Sequence, residues 1–537
     1  MANPGMLYVT MQPKPGLSIH QFHEWYNNEH GPTRLRLPQI FSNGLRYRAV
    51  DEKEPEFLAV YDVVSMPLLE TDTYTSLRAN RSPREAETIG QVDVKRYFWD
   101  LVSVTQSPLF IPIEQLTDDE AEGILLLSLE FKLKDTADAE TKTNMWLKEH
   151  VASVSKLTGW LRSRVLRTSS LESGSPVSFI ALHEFTKTER AAVTNLLTSP
   201  PLGWNEIQEN HATVNSQRLY ELFYVFGPAP RDLFNLSRLE TSTPEFTSPD
   251  QRTITSAAAS TILSYVTAPD GLKIPYQLEG NPDPKTPVIA FCNSLLTSLH
   301  MWDPFVKILK AQRPQYRILR YDFRGRHIIP SPPAPATLDI LADDLGSLLD
   351  ALRIPKLDTL IGVSMGGATT LKFALKYPDK LGRFIACDFN AASSPANTDA
   401  WKQRISIAET PLEDGTPGIH KLAKQTVERW FHPATMEKQD TVRWIENMVA
   451  ENDLEGFRYG CQALWDYNMK EQMRECQVPA LLVVGEGDGK GALVKAMDGF
   501  KGLLGKDGVE LAVVPDAGHL PMCENPEGFW KAVEGFL

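Results

Sequence analysis

The chain has 537 residues, of which 42% are hydrophobic and 23% charged, with a formal net charge of −13 at pH 7. Such a composition is that of a globular protein with room for two to four domains, and no apolar run is long enough for a bilayer-spanning helix. The acidic balance argues against a nucleic acid or an anionic membrane as partner, because both require a basic surface.

The first 228 residues contain an internal duplication. Phe57-Leu58-Ala59-Val60-Tyr61 is matched by Phe179-Ile180-Ala181-Leu182-His183, and residues 96–101 are matched at the same offset by residues 218–223. Each copy predicts the order strand, helix, strand, strand, helix, strand, which defines a ferredoxin-like α+β unit. We place these two repeats at residues 1–110 and 118–228. One sheet face of such a unit is bare, so two copies in one chain are expected to pair face to face.

A short motif in the first copy, Phe22-x-x-Trp25 with Glu29-His30-x-Pro32, resembles the EthD-type dimeric α/β-barrel family. That family includes degradative and polyketide-tailoring enzymes. The second copy keeps a tryptophan and a Glu149-His150 pair but lacks the proline. A histidine that faces a barrel cavity is able to act as a general acid or base, which makes His30 a candidate. The alternative is a helix end packed on the sheet, with Glu29 and His30 as structural caps.

A connector is predicted at residues 229–258. Prolines at 228, 230, 244 and 249 are spread among serine, threonine and aspartate without hydrophobic periodicity. Prolines stiffen such a segment and remove backbone donors.

The segment Gly362-Val363-Ser364-Met365-Gly366 has the G-x-S-x-G spacing of a nucleophile elbow, a sharp turn that projects a serine hydroxyl between a strand and a helix. Leu357–Val363 predicts the buried strand and residues 368–375 the helix. We therefore expect Ser364 to be a nucleophile.

An acid and a histidine follow Ser364 in the chain order of a serine hydrolase of the α/β-hydrolase type. Asp488 comes after a predicted strand at 479–485, and His519 after another that begins near residue 509. Loops at the carboxyl ends of parallel strands are where such folds keep their chemistry. Asp388, after the strand at 384–387, is the rival for the role of the acid.

An oxyanion site requires two backbone N–H donors. One is expected from Met365, the residue after the nucleophile. The loop after the predicted strand Val288–Cys292 is expected to supply the other, at Leu295.

Several segments resemble the 3-oxoadipate enol-lactonases, over roughly residues 262–537. They are Asn293-Ser294-Leu295, residues 301–304, residues 321–325, the elbow, Trp401 with Arg404, Trp430-Phe431 and residues 455–457. The resemblance implies an α/β-hydrolase domain at 259–537, with a mostly parallel, doubly wound sheet and a helical lid at about 390–470, and hydrolysis of an enol lactone or a related ester. Residues 326–329 and 489–491 depart from the family pattern.

The predicted lid contains further candidates for substrate binding. Trp401, Trp430 and Trp465 either line the pocket or form the core of the lid. Arg404 is placed either to hold a substrate carboxylate through its bidentate fork or to form a surface salt bridge.

These patterns lead to three hypotheses. The first is a serine hydrolase that cleaves a lactone or ester through Ser364, His519 and Asp488 and an acyl-enzyme. A second is a bifunctional enzyme of aromatic or polyketide metabolism, in which the EthD-like half performs dehydration or cyclisation and the other half cleaves an ester, lactone or C–C bond. In the third, the first half is a non-catalytic scaffold.

The expected setting is the cytoplasm, since the first residues lack the regions of a signal peptide and five scattered cysteines show neither metal-ligand spacing nor a disulfide framework. We expect a small-molecule substrate, no metal or other cofactor, no nucleic acid or membrane partner, and a monomer or homodimer.

Overall fold

In the computed structural model the chain forms two compact units, Met1–Arg231 and Asp232–Leu537. The structure describes residues 3–35, 37, 39–79, 81–113, 116, 118–172, 174, 176–196, 204–226, 233–234, 236–237, 241, 245–247, 252–268, 270–283, 285–327, 329 and 334–537. The four prolines of the predicted connector lie outside the described residues.

The first unit is built on one closed barrel of eight antiparallel strands. Its strands are β1 Gly5–Pro13, β2 Leu45–Ala49, β3 Phe57–Val63, β4 Val92–Gln106, β5 Leu125–Leu133, β6 Trp160–Thr168, β7 Ser178–Phe185 and β8 Ala212–Val225. Around the barrel the order is β1-β3-β2-β8-β5-β7-β6-β4, so that the two copies join at β2–β8 and at β4–β6. Closure leaves no exposed strand edge.

Helices follow the first and third strands of each copy, and one further short helix, Asp118–Ala121, precedes the first strand of the second copy. In chain order they are Ile19–Trp25, the π-helix Tyr26–His30, Gly31–Leu35, Asp72–Ala79, Pro83–Gly90, Asp118–Ala121, Ala139–Val154, Arg190–Leu196 and Trp204–Asn210, with short 3₁₀ turns at Met66–Glu70 and Lys187–Glu189. Each copy therefore has the predicted order of strands and helices. The ferredoxin-like assignment of the separate repeats stays a prediction, and the structure shows one shared barrel.

Alternation along the strands sorts apolar side chains between two layers, because successive side chains point to opposite faces of a sheet. On β1, Met6 and Tyr8 belong to the cluster that fills the barrel, whereas Leu7 and Val9 belong to the cluster beneath the helices of the first copy. The second copy has its own layer beneath its helices, with Leu127 at its centre.

The second unit contains a ten-stranded sheet in the order β18-β17-β16-β15-β13-β14-β12-β11-β10-β9. The strands are β9 Phe246–Thr247, β10 Ile254–Ser256, β11 Thr261–Thr267, β12 Lys273–Gly280, β13 Val288–Cys292, β14 Arg317–Tyr321, β15 Leu357–Val363, β16 Leu381–Cys387, β17 Ala480–Gly485 and β18 Glu510–Val514. The six strands from β13 to β18 run parallel, and β9 to β12 are antiparallel.

The central parallel strands are apolar throughout because both of their faces are covered. All five residues of β13 are buried, as are the last five of β15. The covering helices are Asp303–Gln312, Leu338–Ala351, Met365–Lys376, Ala492–Lys501, Pro521–Glu524 and Pro526–Val533, with 3₁₀ turns at Leu299–Trp302, Pro378–Lys380, Gln472–Glu475 and Asp488–Gly491.

Between β16 and β17 the chain forms a helical insertion in place of one crossover helix. Its helices are Pro395–Glu409, Gly418–Trp430, Pro433–Met436, Gln439–Ala450 and Leu454–Cys461, followed by a 3₁₀ turn at Gln462–Leu464. This insertion, which we call the lid, occupies the segment in which the sequence predicts one.

Part of the predicted connector belongs to the sheet. β10 pairs with β11 and β9 pairs with β10, so both short strands extend the antiparallel edge. Their two and three residues are too short to show the alternation by which strands are recognised in a sequence.

Candidate active site

Ser364 lies on the turn between β15 and the helix Met365–Lys376, with φ 60° and ψ −118°. A positive φ is unusual for a residue with a side chain and marks a strained turn. The turn is fixed from both sides. The Ser364 N–H donates to the Cys387 carbonyl at 2.9 Å, and a side chain at Gly366 would overlap the carbonyl oxygens of Cys292 and Asn293. The strand and helix predicted around Ser364 are both present.

Asp488 and His519 follow β17 and β18, and their side chains meet. His519 Nδ1 lies 2.7 Å from Asp488 Oδ2, so that the imidazole N–H donates to the carboxylate. This bond places the proton on Nδ1 and leaves Nε2 as an acceptor. Both side chains are largely buried, and the pair is therefore poorly screened by solvent.

Asp388 is a second carboxyl group beside this pair. It follows β16, has φ 47°, is 1% exposed, and accepts the Gly485 N–H on Oδ1 at 2.9 Å. Burial and the charge of Asp488 raise the pKa of the Asp388 carboxyl well above its ordinary value. Asp488 thus pairs with the histidine, and the adjacent Asp388 favours its protonated form more strongly than an ordinary carboxyl group does.

Within the described part of the chain, one group of side chains has the spacing of a metal site. It consists of Asp388, Asp488 and His519, with ligand atoms within 4.8 Å of one another. The group does not fit a cation well, because the histidine Nδ1 that would bind the ion donates its hydrogen bond to the Asp488 carboxylate.

The loop after β13 packs against the elbow. Asn293 anchors it, since its amide donates to the Tyr321 carbonyl at 2.9 Å and its oxygen accepts the Trp302 indole N–H at 2.9 Å. Leu296 has φ 74°, and the Leu295 N–H makes no hydrogen bond to any described residue. Met365 begins a helix, where the first N–H groups have no acceptor within the helix. The predicted pair Leu295 and Met365 therefore retains two unused donors.

The lid is tied directly to His519. The backbone N–H of His519 donates to the Trp430 carbonyl at 2.7 Å, and the Trp430 ring stacks on the imidazole with centroids 5.4 Å apart. Glu524 accepts the His432 N–H at 2.8 Å, which adds a second link between the lid and the segment after His519. Of the predicted lid residues, Trp430 is thus in direct contact with His519.

Two lid arginines have no carboxylate partner among the described residues. Arg404 lies over the Trp401 ring at 4.3 Å, and burial lowers its pKa. Arg429 makes one long hydrogen bond, 3.5 Å to Thr426 Oγ1. Its pKa is lowered to about 10 by burial and by the charge of Arg404, against the attraction of Asp488. The structure therefore brings Arg404 and Arg429 close together, with Arg429 near enough to the Asp488 carboxylate to interact with it.

Arg429 was missed in the sequence analysis, although it directly precedes Trp430. Trp401 is 8% exposed and packs within the lid, and Trp465 is half-buried with its indole N–H unpaired among the described residues. Within the described part of the chain, neither a hydrogen bond nor a ring contact joins Trp465 to the His519–Asp488 pair.

Of the two alternatives for His30, the structure shows the helix end packed on the sheet, outside the cluster that fills the barrel. His30 stacks between Trp25 and Tyr26, with centroids 4.8 Å from each, and these two residues belong to the layer beneath the helices. The physical reason is strand alternation, which turns Tyr61 and the other neighbours of Tyr26 toward the helices. His30 Nδ1 lies 2.6 Å from Glu85 Oε1, a partner 55 residues away that the sequence pattern did not reveal.

Comparison with known proteins places the second half in a family. Residues 287–526 match the family model described as the alpha/beta hydrolase fold. The chain is 30% identical over 275 residues to the 3-oxoadipate enol-lactonase 1 of Acinetobacter baylyi, covering 51% of this chain and 96% of that protein. Identity to the 3-oxoadipate enol-lactonase 2 of the same organism is 28% over 253 residues, covering 47% and 88%. The crystal structure of the enol-lactonase from Burkholderia xenovorans LB400 is 29% identical, covers 51% of this chain and 98% of that one, and has a TM-score of 0.44.

The chain belongs to the α/β-hydrolase family. It is an enzyme of the class that hydrolyses carboxylic esters and lactones. Among the described residues, no helix has the length and apolar character that crossing a bilayer requires.

Proposed function

We propose that the second unit is a serine hydrolase for an enol lactone or a related ester that carries a free carboxylate. The observation that carries the proposal is the His519–Asp488 pair, with its 2.7 Å hydrogen bond, in the same row of strand ends as the strained Ser364 turn. Parallel strands bring their carboxyl ends to one edge of the sheet. The neighbouring strands β15, β16, β17 and β18 are followed, at their carboxyl ends, by Ser364, Asp388, Asp488 and His519 respectively.

The chemistry follows from the proton positions. Because Asp488 holds the proton on Nδ1, His519 Nε2 accepts the Ser364 proton as Oγ attacks the carbonyl carbon. The N–H groups of Leu295 and Met365 stabilise the oxyanion that forms, which contributes several kcal/mol to the barrier lowering.

Collapse of the tetrahedral intermediate breaks the bond to the leaving oxygen, which takes the proton from His519. An enol leaving group departs readily because it becomes a ketone. His519 then activates a water molecule that hydrolyses the acyl-enzyme on Ser364.

The lid arginines support an anionic substrate. Arg404 is half-buried and Arg429 is exposed, and neither has a carboxylate partner among the described residues. Two neighbouring guanidinium groups repel each other in the empty site, and a bound carboxylate would relieve that repulsion. Arg404 and Arg429 fit that role, since a guanidinium binds a carboxylate through two parallel N–H donors. The two Acinetobacter relatives are named for 3-oxoadipate enol-lactone, and a lactone formed by one acid group of a dicarboxylic acid retains the other as a carboxylate.

A matched pair of chromogenic esters tests the proposal: 4-nitrophenyl hydrogen glutarate, which carries a carboxylate, and 4-nitrophenyl butyrate, which is neutral. We expect Arg404→Gln and Arg429→Gln to lower kcat/KM for the first ester by roughly 10- to 100-fold, as for loss of a hydrogen bond to a charged group. Both should change hydrolysis of the neutral ester little. Arg443→Gln is the control, because Arg443 is an exposed lid arginine paired with Asp440.

Ser364→Ala should abolish hydrolysis of both esters. Full activity of Ser364→Ala would refute the nucleophile. If that variant is inactive but the two arginine variants treat the esters alike, the triad stands and the anionic substrate class is wrong.

A further inference from the structure

The first unit contains a histidine–carboxylate pair that the hydrolase chemistry does not use. His30 Nδ1 lies 2.6 Å from Glu85 Oε1, and the Trp25 indole N–H donates to Glu85 Oε2 at 2.7 Å. His30 is 5% exposed. A carboxylate that takes the Nδ1 proton fixes the tautomer and leaves Nε2 as a base. Nε2 makes no hydrogen bond to any described residue.

The backbone around His30 departs from regular geometry. Residues Tyr26–His30 form a π-helix between two short α-helices. Such a segment costs regular hydrogen bonding and is frequent at functional sites. It ends at the histidine itself.

Two buried arginines, Arg34 and Arg46, lie near the pair, and Glu85 is a carboxylate that interacts with Arg34. The Arg34 guanidinium makes one hydrogen bond among the described residues, from Nη1 to the His30 carbonyl at 2.7 Å, and lies over the Tyr61 ring. Arg46 is fully buried, donates to Asn27 Oδ1 at 2.6 Å and lies 4.3 Å from the Tyr26 ring centroid. Burial and the charge of Arg34 lower the pKa of His30 to about 4, although Glu85 opposes this shift, so the imidazole is neutral at pH 7.

The second copy is an internal control for these features. His150 occupies the position equivalent to His30, but its helix Ala139–Val154 is regular. The ring stacks on Trp146 at 5.0 Å, and both of its nitrogens are buried without a partner among the described residues. Glu149, the equivalent of the buried Glu29, is exposed. The catalytic-type arrangement is thus present in one copy and lacking in the other.

We propose that the first unit holds a second site, in which His30, oriented by Glu85, takes a proton from a bound phenol or enol and Arg34 stabilises the resulting oxyanion. The proton moves from the ligand oxygen to His30 Nε2, and the electron pair stays on that oxygen. No other bond breaks and no co-reactant is required. The flanking rings of Trp25 and Tyr26 suit a planar ligand. Burial and Arg34 disfavour protonated His30 in the empty site, and the oxyanion of the bound ligand offsets both by pairing with the imidazolium and the guanidinium.

4-Nitrophenol is a suitable probe, because its phenolate absorbs visible light and its phenol does not. In the full chain, at a pH below the pKa of the free phenol, we expect the protein to bind the probe and raise the phenolate absorbance. His30→Gln should weaken this binding by roughly tenfold or more, as expected for a lost hydrogen bond to a charged group. His150→Gln, the matched control, should bind the probe like the unmodified protein.

The variant Glu85→Gln distinguishes the proposed role of His30 as a base from a purely structural role. The new side chain keeps the shape of Glu85 but has one acceptor oxygen in place of two, so it accepts from either Trp25 or His30 and carries no charge. We expect the probe still to bind, with a lower bound phenolate fraction because the negative charge is lost. Circular dichroism checks that each variant is folded. The proposal is overturned if the probe does not bind, if folded His30→Gln binds it unchanged, or if Glu85→Gln leaves the phenolate fraction unchanged.

Discussion

Replacement of the buried His150 by phenylalanine should stabilise the first unit, and more so in acid. Burial lowers the pKa of His150 from 6.5 to about 4, and no carboxylate compensates the charged form. Its ring stacks on Trp146 and meets His183 edge-on at 5.1 Å. A phenylalanine has nearly the same shape and offers the same stacking.

The magnitude follows from these contacts and this pKa. Two buried ring nitrogens without partners cost about 1 kcal/mol or more at neutral pH, and phenylalanine removes that cost. Because the folded-state pKa lies below that of the unfolded chain, the unfolded state binds the proton more tightly. The free energy of unfolding therefore decreases as the pH falls from 6.5 toward 4. At about pH 5 the decrease due to His150 is about 2 kcal/mol. His150→Phe should abolish that part of the loss.

Urea unfolding of the full chain, followed by circular dichroism at neutral and at acidic pH, measures both effects. The control is His20→Phe, the same change at an exposed position of the same unit. A variant that is less stable than the unmodified protein at neutral pH, or whose advantage does not grow in acid, would refute the assignment of His150 as a buried, uncompensated base.

Further outcomes are expected in the second unit. Asp488→Asn should lower kcat by roughly 10²- to 10³-fold rather than the ~10⁴-fold typical of a lost triad acid, because removal of the Asp488 charge lets the adjacent Asp388 ionise and take over in part. The double variant Asp388→Asn/Asp488→Asn should show the full ~10⁴-fold decrease of kcat in steady-state ester hydrolysis. If Asp488→Asn alone causes the same decrease, Asp388 does not replace Asp488. Gly366→Ala should destabilise the unit by about 1–3 kcal/mol and impair hydrolysis, since the new methyl group overlaps backbone carbonyls. Gly499→Ala, in open space on the helix Ala492–Lys501, should instead stabilise by about 0.5–1 kcal/mol in thermal unfolding, and equal effects of the two changes would refute the steric reasoning.

Much of the second unit could be predicted because its signals are local. A G-x-S-x-G turn between an apolar run and a helical pattern locates Ser364, and strand-then-loop patterns locate Asp488 and His519. The closeness of the Asp388 and Asp488 carboxyl groups was not predictable, because it depends on β16 and β17 being adjacent in the sheet.

Contacts over long separations account for the remaining omissions. Glu85 reaches His30 across 55 positions, and the sequence near Glu85 has no feature that indicates its partner. The layer in which His30 lies depends on which face of β3 each residue presents. Arg429 had a local signal beside Trp430, but its proximity to Arg404 arises only when two lid helices pack together. The short strands β9 and β10 lack a pattern because pairing with β11, and not their own sequence, defines them.

Labelling of the full chain with a fluorophosphonate, followed by mass spectrometry of the modified peptide, tests the proposed nucleophile most directly. The reagent reacts with a serine only when a base has activated its hydroxyl. We expect one modified residue, Ser364, and loss of the label in His519→Ala. A folded protein that takes no label, or takes it at another serine, would contradict the proposed triad.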